Sequence, residues 1–350
     1  MKEKHINNTK DNALFKEIYT KINQTIKFDT THYYQVIWSK FAFYCVATIG
    51  LYIGILQIQN PIIFTIVFMA YGYAALLFAF NFAHDFSHNT IFKNNRWNNL
   101  GFIALYTLVG AHAEAWKDRH VNSHHFAPNV EKYDLDLQIS SWIRVIPNSE
   151  YRSFHKYQHI YAPFAYMTYS LFWVFVKDFI HLFDKEENRD KGWKFYASFI
   201  AQKAFYLTYL LVLPILFSQH SWEMVLIAFL LMHLSQSLFL LFTFFMTHHV
   251  EGMLYPEVDE NGYIQSSWLH NQIASSNDFF PFSETANFIF GGFNNHIAHH
   301  LFPHIHHIYY PKMNRILYDI LRKHNVQPNQ TTFFGGAMSH LKHLKQLSVT

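Results

Sequence analysis

PIIFTIVFMAYGYAALLFAFNFAHDFSH, Pro61–His88, is an apolar run that ends in two histidines four residues apart. Its uncharged part, Pro61–Phe82, meets the roughly 20 residues a helix needs to cross about 30 Å of hydrocarbon. Histidines at i and i+4 share one face of a helix. His84 and His88 therefore read as a pair of metal ligands at the end of a membrane span. Two further boxes repeat the pattern: HVNSHH at His120–His125 and HIAHH at His296–His300. On helical spacing each box can aim its imidazoles at one point. A separate His248 ends another apolar run.

Three more runs are long enough to span: Phe41–Ile58, Phe195–Phe217 and Trp222–Thr247. Short connections join the first to Pro61–Phe82 and the third to the fourth, so two hairpins are expected, over 41–82 and 195–247. A cytosolic lead, 1–33, precedes a single membrane domain, 34–350, whose cytosolic parts are 83–194 and 248–350. Lys203 interrupts the third span. A central lysine costs on the order of 2.5–3.5 kcal/mol there, so it is expected off-centre or snorkelling toward the interface. Trp97–Ala113 and Tyr161–Phe183 are also apolar. A crossing by the first of these would put the first two boxes on opposite faces, so both are read as interfacial or re-entrant helices. The turns at Gln59–Asn60 and Ser218–Ser221 hold no Lys or Arg, and nearly all 27 basic residues lie in the lead, the middle segment or the C-terminal part. By the positive-inside rule, termini and boxes face the cytosol. The expected fold is an all-α integral membrane protein: four transmembrane helices in two hairpins, interfacial helices, and a cytosolic helical cap holding a histidine-rich metal site.

Composition agrees. Charged residues are 15% of the chain, below the roughly 25% of soluble domains. A net charge of +3 gives no ground for a nucleic-acid partner. The single cysteine, Cys45, excludes an internal disulfide and a cysteine-based zinc or iron–sulfur site; it reads as packing. The polar N-terminus lacks the apolar core of a secretory signal.

Nine histidines then need a role: the eight of the three boxes and His248. Neutral imidazole ligates transition metals and excludes a hard-cation, all-oxygen site. Nine ligands are too many for one metal, so two metals shared between boxes is the natural count. No Glu-x-x-His pairs of a carboxylate-bridged di-iron bundle are placed here, and no H-E-x-x-H zinc motif occurs. His5, His32, His220, His324 and His340 read as polar surface. His233 lies mid-span and reads as a packed residue bonded to a neighbouring helix, which argues against a histidine-rich metal transporter.

The order of hairpin, box, box, hairpin, box resembles the membrane fatty acid desaturases from about Tyr34 to Asn325. The stretches HVNSHHFAPNVEKYDLDL, THHVEG, WLHNQ (Trp268–Gln272) and GGFNNHIAHHLFP (Gly291–Pro303) carry the likeness, the first of them to bacterial acyl desaturases. The resemblance implies two Fe ions held by His84, His88, His120, His124, His125, His248, His296, His299 and His300, with O2 as co-substrate. It selects His248 over His249, which spacing alone does not. It implies oxygen-dependent formation of a cis double bond in a long acyl chain carried by coenzyme A or a lipid. A hydroxylase on the same scaffold is the alternative within the enzyme class. The front-end branch usually has Gln where this chain has His296, and many of its members carry a fused cytochrome b5 module. No histidine-proline-glycine-glycine haem motif occurs in this chain. The two electrons are therefore expected from a separate ferredoxin-like or cytochrome b5-like protein. A bacterial plasma membrane is the expected location.

Metal-bound histidines usually donate their other N–H to a carboxylate or carbonyl. Asp134 and Glu251 are the foremost candidates for that role; Asp85, Glu114, Asp118, Asp136 and Asn294 also lie near the boxes in sequence. His112, His270, His304, His306 and His307 are near too and are not read as ligands. Arg144, Arg152 and Lys156 form a basic cluster that reads as a solvated loop rather than a head-group site.

Overall fold

The computed structural model describes residues 4–137, 141–184, 188 and 190–349. Its chain folds into two compact units. One comprises Met1–Gln35, Lys117–Ala162 and Phe242–Thr350; the other comprises Val36–Trp116 and Pro163–Leu241.

The second unit carries most of the apolar sequence. Four helices are long and apolar enough to cross a bilayer: Thr31–Gln57, Pro61–Ser87, Trp193–Phe217 and Trp222–His248. Each matches an expected span, and the first begins ten residues before Phe41. Asn60 ends the first turn sharply, its side chain accepting from Ile62 N and Ile63 N while Pro61 fills the first helical position, where a missing N–H costs nothing. The core of this unit joins Phe64, Phe68 and Tyr71 to Tyr206, Val225 and Phe229. Gly72 is required where two spans touch: a Cβ there would lie 2.3 Å from Met232 Cγ. Val46, Ile62, Ile66 and Leu216 point outward, as lipid-facing side chains must.

Lys203 corrects the sequence reading. It sits near the middle of Trp193–Phe217 and does not snorkel. Its Nζ donates to Asp178 Oδ2 at 2.7 Å and to the Gly110 carbonyl at 2.6 Å. The fixed carboxylate replaces the water that snorkelling would have reached. His233 behaves as read: Ser170 Oγ lies 2.6 Å from Nδ1 and Tyr206 OH 2.7 Å from Nε2. Both ring nitrogens are thus committed to neighbouring side chains.

The two further apolar runs, Trp97–Ala113 and Tyr161–Phe183, lie on helical segments. Asn95–Leu108 has 14 residues, about 21 Å of helix, too short to cross. The other breaks into Gln158–Met167, Tyr169–Phe172, a π turn Trp173–Lys177 and Asp178–Phe183.

The first unit holds the polar segments. The N-terminal lead is not loose: helix Thr9–Thr25 is capped by Asn8 and buries Leu14, Ile18 and Ile22. Ser267 Oγ donates to Asp11, and Glu17 meets His324 at 2.9 Å. Two of the histidines read as surface are in fact buried. His5 reaches the Ser266 and Phe126 carbonyls at 3.3 and 3.2 Å, and His340 donates to the His249 carbonyl at 2.7 Å. Their polarity is spent on backbone carbonyls, which spacing does not reveal. Gly291, at φ 60°, ends helix Glu284–Phe290 in the left-handed conformation, and the third box begins five residues later.

Candidate metal centre

The Pro61–Ser87 helix passes through a π turn, Ala79–Ala83, before its last α turn, His84–Ser87. The extra residue shifts the helical phase just ahead of the first box. In this second unit His84 and His88 lie with ring centroids 5.0 Å apart.

In the first unit the second box is also a π turn, His120–His124, closed by His125 N donating to the His120 carbonyl at 3.2 Å. Residues i and i+5 then share one face of the turn. His120 and His125 bring their Nε2 atoms to 3.2 Å, and His299 Nε2 approaches His125 Nε2 at 3.0 Å. His124 is turned elsewhere, with its Nε2 3.0 Å from His248 Nε2. His296 Nε2 and His300 Nε2 lie 2.6 and 3.3 Å from the same His248 atom. The expectation that each box converges on one point is thus corrected. The second box gives two imidazoles to a trio (His120, His125, His299) and one to a quartet (His124, His248, His296, His300). The third box divides the other way. A π turn and a short α-helix rotate adjacent histidines by different angles, and the clusters follow from that. Ligand atoms within each cluster lie within 4.8 Å of one another.

The other ring nitrogens show what the clusters fit. His124 Nδ1 donates to Asp134 Oδ2 at 2.8 Å, and His120 Nδ1 to Asp136 Oδ2 at 3.1 Å. His248 Nδ1 donates to the Ser275 carbonyl at 2.7 Å, and His300 Nδ1 to Gln272 Oε1 at 2.9 Å. Each of these rings spends its N–H on an oxygen, so its Nε2 carries a lone pair. Lone pairs facing one another across about 3 Å in a buried site repel unless a cation lies between them. That donor set suits a transition metal. Burial lowers His120 despite the Asp136 carboxylate, and burial with neighbouring imidazoles holds His300 well below its ordinary value. Burial opposes His124 too, but there the Asp134 carboxylate and its hydrogen bond win and raise it. A more basic imidazole is a stronger ligand once metal displaces its proton.

Asp134 also accepts from Asn129 N at 3.0 Å and is fully buried. Asp134→Asn should lower metal affinity by roughly 10–100-fold, measured as iron retained after dialysis against a chelator. Glu251 does not sit against a box. It accepts from Ser339 Oγ at 3.3 Å and Gln346 Nε2 at 2.9 Å, both on the C-terminal helix Phe333–Gln346. His249 turns away as well, with Nδ1 2.9 Å from Tyr255 OH.

The remaining candidates are spread around. Asp85 accepts from Thr90 Oγ1 at 3.1 Å, Asp118 from Asn122 Nδ2 at 3.2 Å, and Glu114 lies in the first turn of helix Ala113–Arg119. Asn294 Nδ2 donates to the Phe280 carbonyl at 3.4 Å. His112 N donates to Asp178, His270 meets Ser266 Oγ at 3.1 Å, and His306 accepts from Ile308 N while stacking on His307. His304 lines a groove of about 450 Å³ beside His125 and His300, walled by Phe15, Tyr19 and Trp268. Arg144 is spent on the Leu347 and Pro147 carbonyls and Arg152 on Glu150, while Lys156 is exposed. Spacing did not single out Gln272, the Ser275 carbonyl, or Tyr310, whose OH is 3.3 Å from His299 Nδ1. Only Gln272 had a sequence signal, as the last residue of WLHNQ.

A sequence profile described as fatty acid desaturase matches residues 60–332. The chain belongs to that family. It is 30% identical over 288 residues to an acyl-lipid (8-3)-desaturase of Physcomitrium patens, covering 80% of this chain and 59% of the moss protein. It is 29% identical over 283 residues to an sn-1 linoleoyl-lipid 6-desaturase of Arthrospira platensis, covering 79% of this chain and 76% of that one. A protein of the same description from Synechocystis is 27% identical over 277 residues, covering 76% of each chain. The chain thus spans less than two thirds of the moss relative's length. With four spans and family membership, this desaturase-family chain is a multi-pass membrane protein.

Proposed function

We propose that the protein is a membrane-bound fatty acyl desaturase, introducing a cis double bond into a long acyl chain at a di-iron centre. The observation that carries this reading is the division of seven imidazoles into a trio and a quartet whose ring nitrogens converge, four of these rings spending their outer N–H on an oxygen. The family resemblance adds His84 and His88, so that the proposed ligands are His84, His88, His120, His124, His125, His248, His296, His299 and His300. Two bound irons would supply the oxygen chemistry that no acid or base side chain offers, since the hydrogens removed come from unactivated methylenes. One O2, two electrons and two protons balance the two hydrogens removed and leave two waters.

The chain's own residues supply the rest. Asp134, Asp136, Gln272 and the Ser275 carbonyl fix ring orientation and tautomer. Burial of His120, His124, His296 and His300 keeps bulk water from the ligand shell. The substrate is an acyl chain esterified in a lipid, supported by the descriptions of the moss and cyanobacterial relatives. Electrons come from a separate ferredoxin-like or cytochrome b5-like donor. The termini and boxes face the cytosol of a bacterial plasma membrane, as the charge distribution supports.

Expression in a host lacking the activity, followed by mass spectrometry of its fatty acids, tests this directly. New alkenes whose positions are fixed by derivatisation are expected. Hydroxylated chains with no new alkene would sink the desaturase reading.

A further inference from the structure

We propose that Asp278 is a positioning residue for the third box, setting the rotation that divides His296, His299 and His300 between the two clusters. The proposal rests on the reading that those histidines hold metal. The box lies on a helix of six residues, His296–Leu301. A helix that short cannot hold its own conformation, and its first N–H groups have no partner inside it. Asp278, fully buried, supplies one: its Oδ1 accepts from Ile297 N at 2.9 Å. A carboxylate at a helix N-terminus is also electrostatically favoured.

The second oxygen ties this cap to the rest of the unit. Asp278 Oδ2 accepts from Tyr318 OH at 2.9 Å and Asn314 Nδ2 at 3.3 Å, both on helix Tyr310–Lys323. Three donors and no acceptor face the side chain in these bonds. Asn314 Nδ2 also donates to Asn295 Oδ1 at 2.7 Å, just ahead of the box. Asn295 in turn donates to Asn287 at 2.9 Å, and Asn287 to the His307 carbonyl, beyond the box, at 3.0 Å. Asp278 itself is held in a two-strand pair, Asn277–Phe279 against Asn329–Thr331. Residues before, within and after the box are thus pinned to one network. Successive helical residues point about 100° apart, so a small rotation would move all three imidazoles off their clusters at once.

The test compares full-length parent, Asp278→Asn and Tyr318→Phe in detergent, loaded with ferrous iron alone. Iron affinity, X-ray absorption of the bound metal and the thermal melt are read together. Asparagine keeps the shape but gives Ile297 and Tyr318 only one acceptor oxygen between them. Asp278→Asn is expected to lose roughly 10–100-fold in iron affinity and to show fewer imidazoles per metal. Tyr318→Phe, which leaves the Ile297 bond intact, is expected to change the absorption spectrum in the same direction by less. A lower melting temperature with affinity and spectrum unchanged would mean a merely structural role and overturn the proposal. Should Asp278→Asn fail to fold, an unchanged spectrum in Tyr318→Phe overturns it as well. A parent that binds no iron defeats the metal reading and this proposal together; a parent that binds it equally with Asp278→Asn defeats only this one.

Discussion

Alanine at His248 is expected to abolish double-bond formation, while alanine at the adjacent His249 leaves metal binding intact. His248 Nε2 is the hub of the quartet, lying within 3.3 Å of the Nε2 atoms of His124, His296 and His300. Its loss removes one of the quartet's four imidazoles and leaves the others with no shared centre. Replacing groups that only orient ligands costs 10–100-fold, so removing this ligand should cost more than about 100-fold. On the proposed di-iron reading, the iron count should fall by about one metal. His249 faces Tyr255 and a second buried imidazole, His343, whose Nε2 is 3.0 Å from the same hydroxyl. His249→Ala should lower stability by the loss of that bond, about 1–3 kcal/mol, and keep its iron. Iron analysis and fatty acid profiles of both variants decide the matter. A His248→Ala protein that still makes alkenes would remove it from the ligand set.

The largest effect on stability is expected from Lys203→Met. Asp178 is fully buried and Lys203 nearly so, 2.7 Å apart within the membrane-spanning unit. Removing one partner of a buried pair leaves an uncompensated charge, costing about 3–5 kcal/mol. The double variant Lys203→Met/Asp178→Asn should recover most of that loss. Its asparagine can still accept from His112 N, which lies 2.8 Å from the carboxylate, and no charge is left in the interior. Thermal melts in detergent micelles should therefore rank the parent and the double variant together, well above the single one. Equal melting of parent and Lys203→Met would show that the pair contributes nothing.

The spans, the boxes and the family were legible in the chain because each is a local pattern. Length and hydropathy set the helices, and a four-residue spacing marked the histidines. The same locality explains the errors. Lys203 was expected to reach for water because its partner, Asp178, lies 25 residues away and carries no periodic signal. His5 and His340 look like surface until the carbonyls they bond are brought to them. Glu251 lies three residues from His248, yet its backbone turns it to Ser339 and Gln346.

By itself the sequence determined that four helices are long and apolar enough to cross a membrane and that nine histidines are available for metal, since hydrophobic length and residue type act locally. Only the tertiary structure decided which imidazole joins which cluster. That choice depends on a π turn at His120–His124, a six-residue helix at His296–Leu301 and the acceptors behind each ring. These fix helix rotation and tautomer, and both are set by contacts between segments far apart in the chain.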